Sequence, residues 1–199
     1  MSMRLWSFSV LVLIVSLLFP DTVHGQWKLK PSIGILQVAG NMGLVSAGFG
    51  WDYGRKNQWE TTLLYGYIPK HEGKRGYATF TLKQTYIPWS NHLNDNVTFE
   101  PLTCGMYLNS ILSRDFWVRE PDKYPKGYYG FSTKIRFNIF IGESISFYPT
   151  SAEEYVIKGG SLFWEFGATD IYIISKATNR YLKFWDIFGL SFGLKLRFC

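Results

Sequence analysis

Cysteine is nearly missing from this chain: Cys104 and Cys199 are the only two among 199 residues. Two are too few for a disulfide-stapled fold, and no Cys/His cluster has the spacing of a structural zinc site. Charge is scarce too, at 18% against about 25% in an average soluble domain. With so much apolar and aromatic material left, a disordered tail, a coiled coil and a collagen-like fibre are excluded. Long apolar runs are absent after residue 19, because polar residues break every later stretch before it could cross a membrane as a helix. Glycine-rich phosphate loops, acidic calcium loops and HExxH zinc motifs are missing as well, so no cofactor or metal is expected.

What is present begins with an address. Met1 to Arg4 is short and basic, Leu5 to Phe19 is apolar, and Pro20 and Asp21 end the run ahead of Val23-His24-Gly25. This three-part layout predicts a secretory signal peptide over 1–25, followed by one domain over 26–199. Arg4 and Asp21 leave together, so the mature chain keeps the formal charge of +6.

The rest of the chain alternates with a period of two, the signature of strands. Phe188, Leu190, Phe192, Leu194, Leu196 and Phe198 share one parity, opposite Gly189, Ser191, Gly193, Lys195 and Arg197. From Tyr129 to Ile139 the apolar parity holds Phe131, Ile135 and Phe137, opposite Lys134 and Arg136. Val45, Ala47, Phe49, Trp51 and Tyr53 oppose Ser46, Gly48, Gly50 and Asp52. Weaker versions run over Trp59–Tyr67, Ala78–Tyr86, Leu102–Leu108 and Leu162–Ala168, with a less regular stretch over Trp27–Val38. About eight strands result.

Alternation alone does not say which face is wet. A soluble ligand-carrying barrel turns its apolar parity inward; a membrane barrel turns it outward. The apolar faces read here carry no Asp, Glu, Lys or Arg and are bulky, and an eight-stranded barrel has too little room to hold them all. Backbone groups cannot stay unpaired in hydrocarbon, so spanning strands must close. The expectation is therefore an all-β fold, a closed antiparallel up-and-down transmembrane β-barrel. Its lipid-facing residues include Phe131, Ile135, Phe137, Phe188, Leu190, Phe192, Leu194, Leu196 and Phe198. Inside, Asp52, Glu60 and Glu165 are expected to pair with Lys83, Lys134, Arg136, Lys195 and Arg197, since an unpaired buried ion costs several kcal/mol. Trp51, Tyr53, Trp59, Tyr65, Tyr67, Tyr86, Trp89, Tyr129 and Trp185 fall near strand ends, where aromatic girdles belong.

Turn-forming composition marks Gly54–Asn57, Lys70–Gly76 and Ser90–Asn96, with longer connections over Asn109–Lys126 and Asp170–Lys183. With the mature N-terminus in the periplasm, Lys70–Gly76, Asn109–Lys126 and Asp170–Lys183 reach the cell surface. Pro149 to Gly160 is either a long periplasmic connection or leaves room for a further strand at Ser144–Tyr148.

The mature chain resembles small outer-membrane β-barrel proteins of Gram-negative bacteria. Its Phe-rich end, Phe188 to Phe198, is similar to the final strand that the barrel-assembly machinery reads, although Cys199 follows the aromatic residue that usually ends such chains. Gly50-Trp51-Asp52-Tyr53-Gly54 and Leu190-Ser191-Phe192-Gly193 look like uncharacterised Bacteroidetes barrels. The resemblance implies an outer-membrane location and lipid as a neighbour; a monomer with a structural or surface-binding role is expected.

Chemistry is sparse. The mature histidines, His71 and His92, both sit in connections. Small barrel enzymes that remove or add lipid A acyl chains use a His with a Ser and an acid at the outer rim, which makes His71, His92, Ser110 and Ser113 the catalytic candidates. Exposed loop residues are the plainer account of both histidines, and a base must come within about 3 Å of its nucleophile. Cys104 lies on an apolar parity as a small lipid-facing residue; a bond to Cys199 is the other reading in an oxidising compartment. The +6 charge lies largely on alternating strands, which favours an anionic membrane surface over nucleic acid as the neighbour.

Overall fold

The computed structural model describes residues 30–70, 76–113, 134–149, 156–178 and 187–198. The expected signal peptide over 1–25, Tyr129, Phe131, His71, Trp185 and Cys199 lie outside the described residues.

The strands are β1 (Ile33–Ala39), β2 (Val45–Tyr53), β3 (Trp59–Ile68), β4 (Tyr77–Tyr86), β5 (Asn91–Asn94), β6 (Val97–Leu112), β7 (Ile135–Phe147), β8 (Ile157–Thr169) and β9 (Phe188–Phe198), with a helix α1 (Asp170–Thr178) between the last two. Each long strand pairs antiparallel with its sequence neighbour, β4 reaches past β5 to β6, and β9 returns to β1. Eight strands therefore close, and β5 is an extra strand on the outer end of β6. Closure removes every edge from the ring, the one arrangement in which a sheet leaves no backbone group unpaired in lipid.

Register shows the stagger that closure needs. A ladder that leaves β1 at its first residue, Ile33, passes Gly50, Thr62, Lys83, Tyr107 and Asn138 and arrives at the last residue of β8, Thr169. Climbing a whole strand length while circling the barrel is strand tilt.

The two ends differ. Both β1 and β9 meet the chain's terminal segments at one end, here called the base, with the turn at residues 54–58 and the β5–β6 hairpin. The links that join β1 to β2, β3 to β4, β6 to β7 and β8 to β9 all leave from the other, the loop end. Gly54 adopts a positive φ of 96° in the base turn, closed by the Asn57 N–H donating to the Gly54 carbonyl at 3.2 Å. At the loop end Gly40 and Gly43, also at positive φ, fold the β1–β2 link inward so that Met42 is buried. Thr79 Oγ1 then donates to the Met42 carbonyl at 2.5 Å.

The apolar parity faces out. Phe49, Leu82, Leu108, Ile141, Leu162 and Phe192 are exposed by 43–52%, while their strand neighbours Gly50, Lys83, Asn109, Gly142, Phe163 and Ser191 point to the lumen and are buried or nearly so. Aromatic rows border this belt. At the base Tyr53, Trp59 and Tyr86 are register partners, with the last two rings 4.4 Å apart between centroids. At the loop end stand Tyr65 and Tyr67. The path along β3 from Trp59 to Tyr67 is about 26 Å at 3.3 Å per residue. With a 35–45° tilt it rises about 20 Å, close to the height of an outer-membrane apolar band.

Several sequence expectations need correction. The strand read as Tyr129–Ile139 is β7, displaced toward the C-terminus: it runs on to Phe147, so Ser144–Phe147 belongs to it and is not a further strand. Its extension puts Glu143 on the outward parity, opposite Trp164, so the apolar faces are not free of ionisable groups. β8 begins at Ile157, which shortens the connection expected over Pro149–Gly160. Ser90–Asn96 contains β5, β6 continues to Leu112 inside the stretch read as a loop, and Asp170–Lys183 opens with α1. The period of two was legible; strand ends were not, because polar residues that pair inside a lumen look like loop residues along the chain.

Candidate functional site

The lumen is the chemically dense part of the molecule, and it is filled. Two large rings, Phe140 and Phe163, point inward from β7 and β8, both buried. Room for them is made on the neighbouring strands by their register partners: a side chain at Gly193 would collide with the Phe163 ring, and one at Gly105 would come within 2.9 Å of the Phe140 ring. These inward rings, with Tyr107, Ile33 and Ile35, escaped a reading that expected a lumen rich in Gly, Ser and Thr with charges interspersed. The signal was there: Phe140 and Phe163 break parity within otherwise regular strands.

Around the rings sit the buried ions. Glu60 lies 2.6 Å from Lys195 Nζ and 3.0 Å from Arg197 Nη2. Arg197 also donates to Ser161 Oγ at 2.7 Å, which lies 2.8 Å from Ser146 Oγ. Glu100 accepts hydrogen bonds from Ser144 and Ser146. Higher up, Lys83 Nζ is 2.6 Å from each oxygen of Glu165. Gln37 donates to Glu165 at 3.3 Å and to Ser191 at 2.9 Å, so it holds the carboxylate in place. Lys83 stands 4.5 Å from the Phe140 centroid and 5.2 Å from that of Phe163, with Lys195 5.3 Å from the same Phe163 ring. Both cations thus stand within cation–π reach of the Phe163 ring. Glu60, Glu100 and Glu165 balance Lys83, Lys195 and Arg197, which is what burial away from water demands.

Of the other candidates, Asp52 stands beside the cluster as the register partner of Glu60, and the remaining two cations lie at the loop end. Asp52 is half-buried at the base and accepts a hydrogen bond from Ser32 Oγ, while its own N–H donates to that oxygen at 3.0 Å. Arg136 is at the loop end, 3.9 Å from Asp170. Lys134 immediately precedes β7 at the same end. Neither cation joins the central cluster.

Among the described residues the histidine and serine candidates do not converge. His92 lies on β5 at the base, where its Nδ1 is 2.9 Å from Thr98 Oγ1. Ser110 is near the opposite end of β6, on the outward parity beside Leu108 and Leu112, and Ser113 follows the strand. Thr98 and Ser110 are about 40 Å apart along β6, so His92 cannot activate either serine. Cys104 faces outward, half-exposed, beside Met106. Among the described residues no group of three or more His, Cys, Asp or Glu is placed to hold a metal ion, and no helix is long and apolar enough to cross a membrane, which says nothing of spanning strands.

Over 180 aligned residues the chain is 22% identical to the outer membrane usher protein PapC of Escherichia coli. The match takes in 86% of this chain and 19% of that protein's length. No protein-family model matches the chain, and no solved structure matches it. A likeness to an outer-membrane protein fits a closed barrel with an apolar exterior.

Proposed function

We propose that this chain is a monomeric outer-membrane barrel of a Gram-negative cell, inserted by the barrel-assembly machinery through its last strand, Phe188–Phe198. Its role is structural or surface-binding, exercised through the connections at the loop end. The observation that carries this reading is the pairing of an exposed apolar belt with a lumen occupied by Phe140, Phe163 and six balanced buried ions. A lumen so filled supports a closed barrel over a conducting pore; water-filled channels come with about 16 or more strands. A soluble ligand carrier would need the apolar parity inside, and the described strands turn it outward.

The purified protein in detergent should run faster on a gel unheated than after boiling, should enter lipid vesicles, and should add no conductance to a planar bilayer. Partition into detergent-free buffer as a folded monomer would sink the membrane reading. An enzymatic role on lipid A has no supporting geometry among the described residues. It predicts altered acylation in producing cells that disappears in His71→Ala or His92→Ala, read by mass spectrometry of lipid A; that outcome would replace the structural role.

A further inference from the structure

The chain turns from β8 into α1 at Asp170, and the way that corner is tied fixes where the helix lies. β8 stops pairing with β7 at Asn138 opposite Thr169, so the next N–H on β7, that of Phe137, has no ladder partner on that side. Asp170 Oδ2 accepts from it at 3.4 Å, while Oδ1 accepts from the Ile171 N–H at 2.7 Å and Arg136 lies 3.9 Å away. One carboxylate therefore closes the sheet and starts the helix. Phe137 belongs to the belt: its row runs through Phe49, Leu63, Leu82 and Leu108, apolar throughout. That row climbs with the strand tilt and reaches Phe137 near the loop end of β7, so the helix begins beside the loop-end edge of the belt.

Its first turn after the corner is Ile171, Tyr172, Ile173 and Ile174, each exposed by 38–47%. At 3.6 residues per turn, four consecutive positions point in all directions around the axis. This is not an amphipathic helix resting one face on the protein. That turn is apolar on every side, while Ser175, Lys176 and Thr178 make the second half of α1 polar; a segment apolar all round belongs in a core or in a membrane, and the described strands supply no core here. Tyr172 adds a ring with a polar tip, the side-chain type that gathers at membrane–water boundaries.

We infer that α1 is immersed in the loop-end boundary of the membrane, with Ile171–Ile174 surrounded by lipid where acyl chains meet headgroups, so that the belt is extended outward on the β7–β8 side by a lipid-contacting shelf. This rests on reading the outward strand faces as a membrane belt, and it assigns lipid rather than a protein to the helix.

The test uses the full-length protein with Cys104→Ser and Cys199→Ser, reconstituted in phospholipid vesicles. A single nitroxide is attached through Ile171→Cys, Ile173→Cys, Leu82→Cys in the belt, or Asn57→Cys in the exposed base turn. Collision with oxygen, which concentrates in lipid, is compared with collision with a water-soluble nickel chelate. The labels at 171 and 173, on different sides of α1, should both favour oxygen as the label at 82 does, and the label at 57 should favour nickel. If 82 favours oxygen while 171 and 173 follow 57, or are shielded from both reagents, the helix inference is wrong and the barrel reading stands. If 82 itself favours nickel, the belt reading fails and takes the inference with it.

Discussion

The base and loop halves of the lumen are lined by the same strands, yet they solve the same burial problem with different chemistry. From the base to mid-height the lining is ionic: Glu60 with Lys195 and Arg197, then Lys83 with Glu165, stacked about Phe163. Toward the loop end it is neutral, with Asn109 donating to Thr81 at 2.8 Å, Thr169 donating to Asn138 at 2.7 Å and Asn41 donating to Asn138 at 3.3 Å. The neutral half is also the one that a turn closes, through Met42. An amide or hydroxyl left short of one partner costs about 1–3 kcal/mol, so it tolerates the small displacements of a link region. A buried ion does not, and the ions sit where regular strands on all sides hold their partners.

If that contrast is right, the largest loss should come from Glu60→Gln, which leaves Lys195 and Arg197 buried without their counter-charge. About 3–5 kcal/mol of stability should go, as for other broken buried pairs, measured by urea unfolding of the vesicle-bound protein. Lys83→Met should cost nearly as much, because Glu165 keeps its charge and loses the cation that pairs with it. Adding Glu165→Met to Lys83→Met should recover most of that loss, since a buried pair replaced by apolar groups of similar volume is often neutral. A double variant as unstable as the single would mean that packing against Phe140 and Phe163, and not charge, sets the cost. In the neutral half, Asn138→Ala should cost only about 1–2 kcal/mol; a value matching Glu60→Gln would erase the distinction between the halves. Smallest of all, Arg136→Gln at the loop-end rim should change stability by under about 1 kcal/mol, because its pair with Asp170 is long and partly solvated.

Much of this arrangement was legible before any coordinates. Parity alone puts Glu60, Lys83, Glu165, Lys195 and Arg197 on one side of the wall and Phe192, Leu194 and Phe137 on the other. Pairing was not legible. Glu60 meets Lys195 across 135 positions of chain, and nothing local distinguishes Lys195 from Arg136, which shares its parity but ends at the rim. Glu143 was not reached for a related reason: the alternation read along the chain stops at Ile139 because Ser144 and Ser146 are loop-like in composition, yet inside the barrel they bond Glu100 and keep β7 extended.

The amino-acid order by itself determined a period of two, the side of the wall each residue takes, and the scarcity of groups able to do chemistry, because a pleated strand sends neighbours to opposite faces whatever it pairs with. Which ion neutralises which, how far β7 and β6 extend, and that Asp170 turns the chain into a helix whose first turn is exposed and apolar were decided only on closure. Stagger around the ring sets the height of every side chain, and height is a property of the whole circuit that no single strand contains.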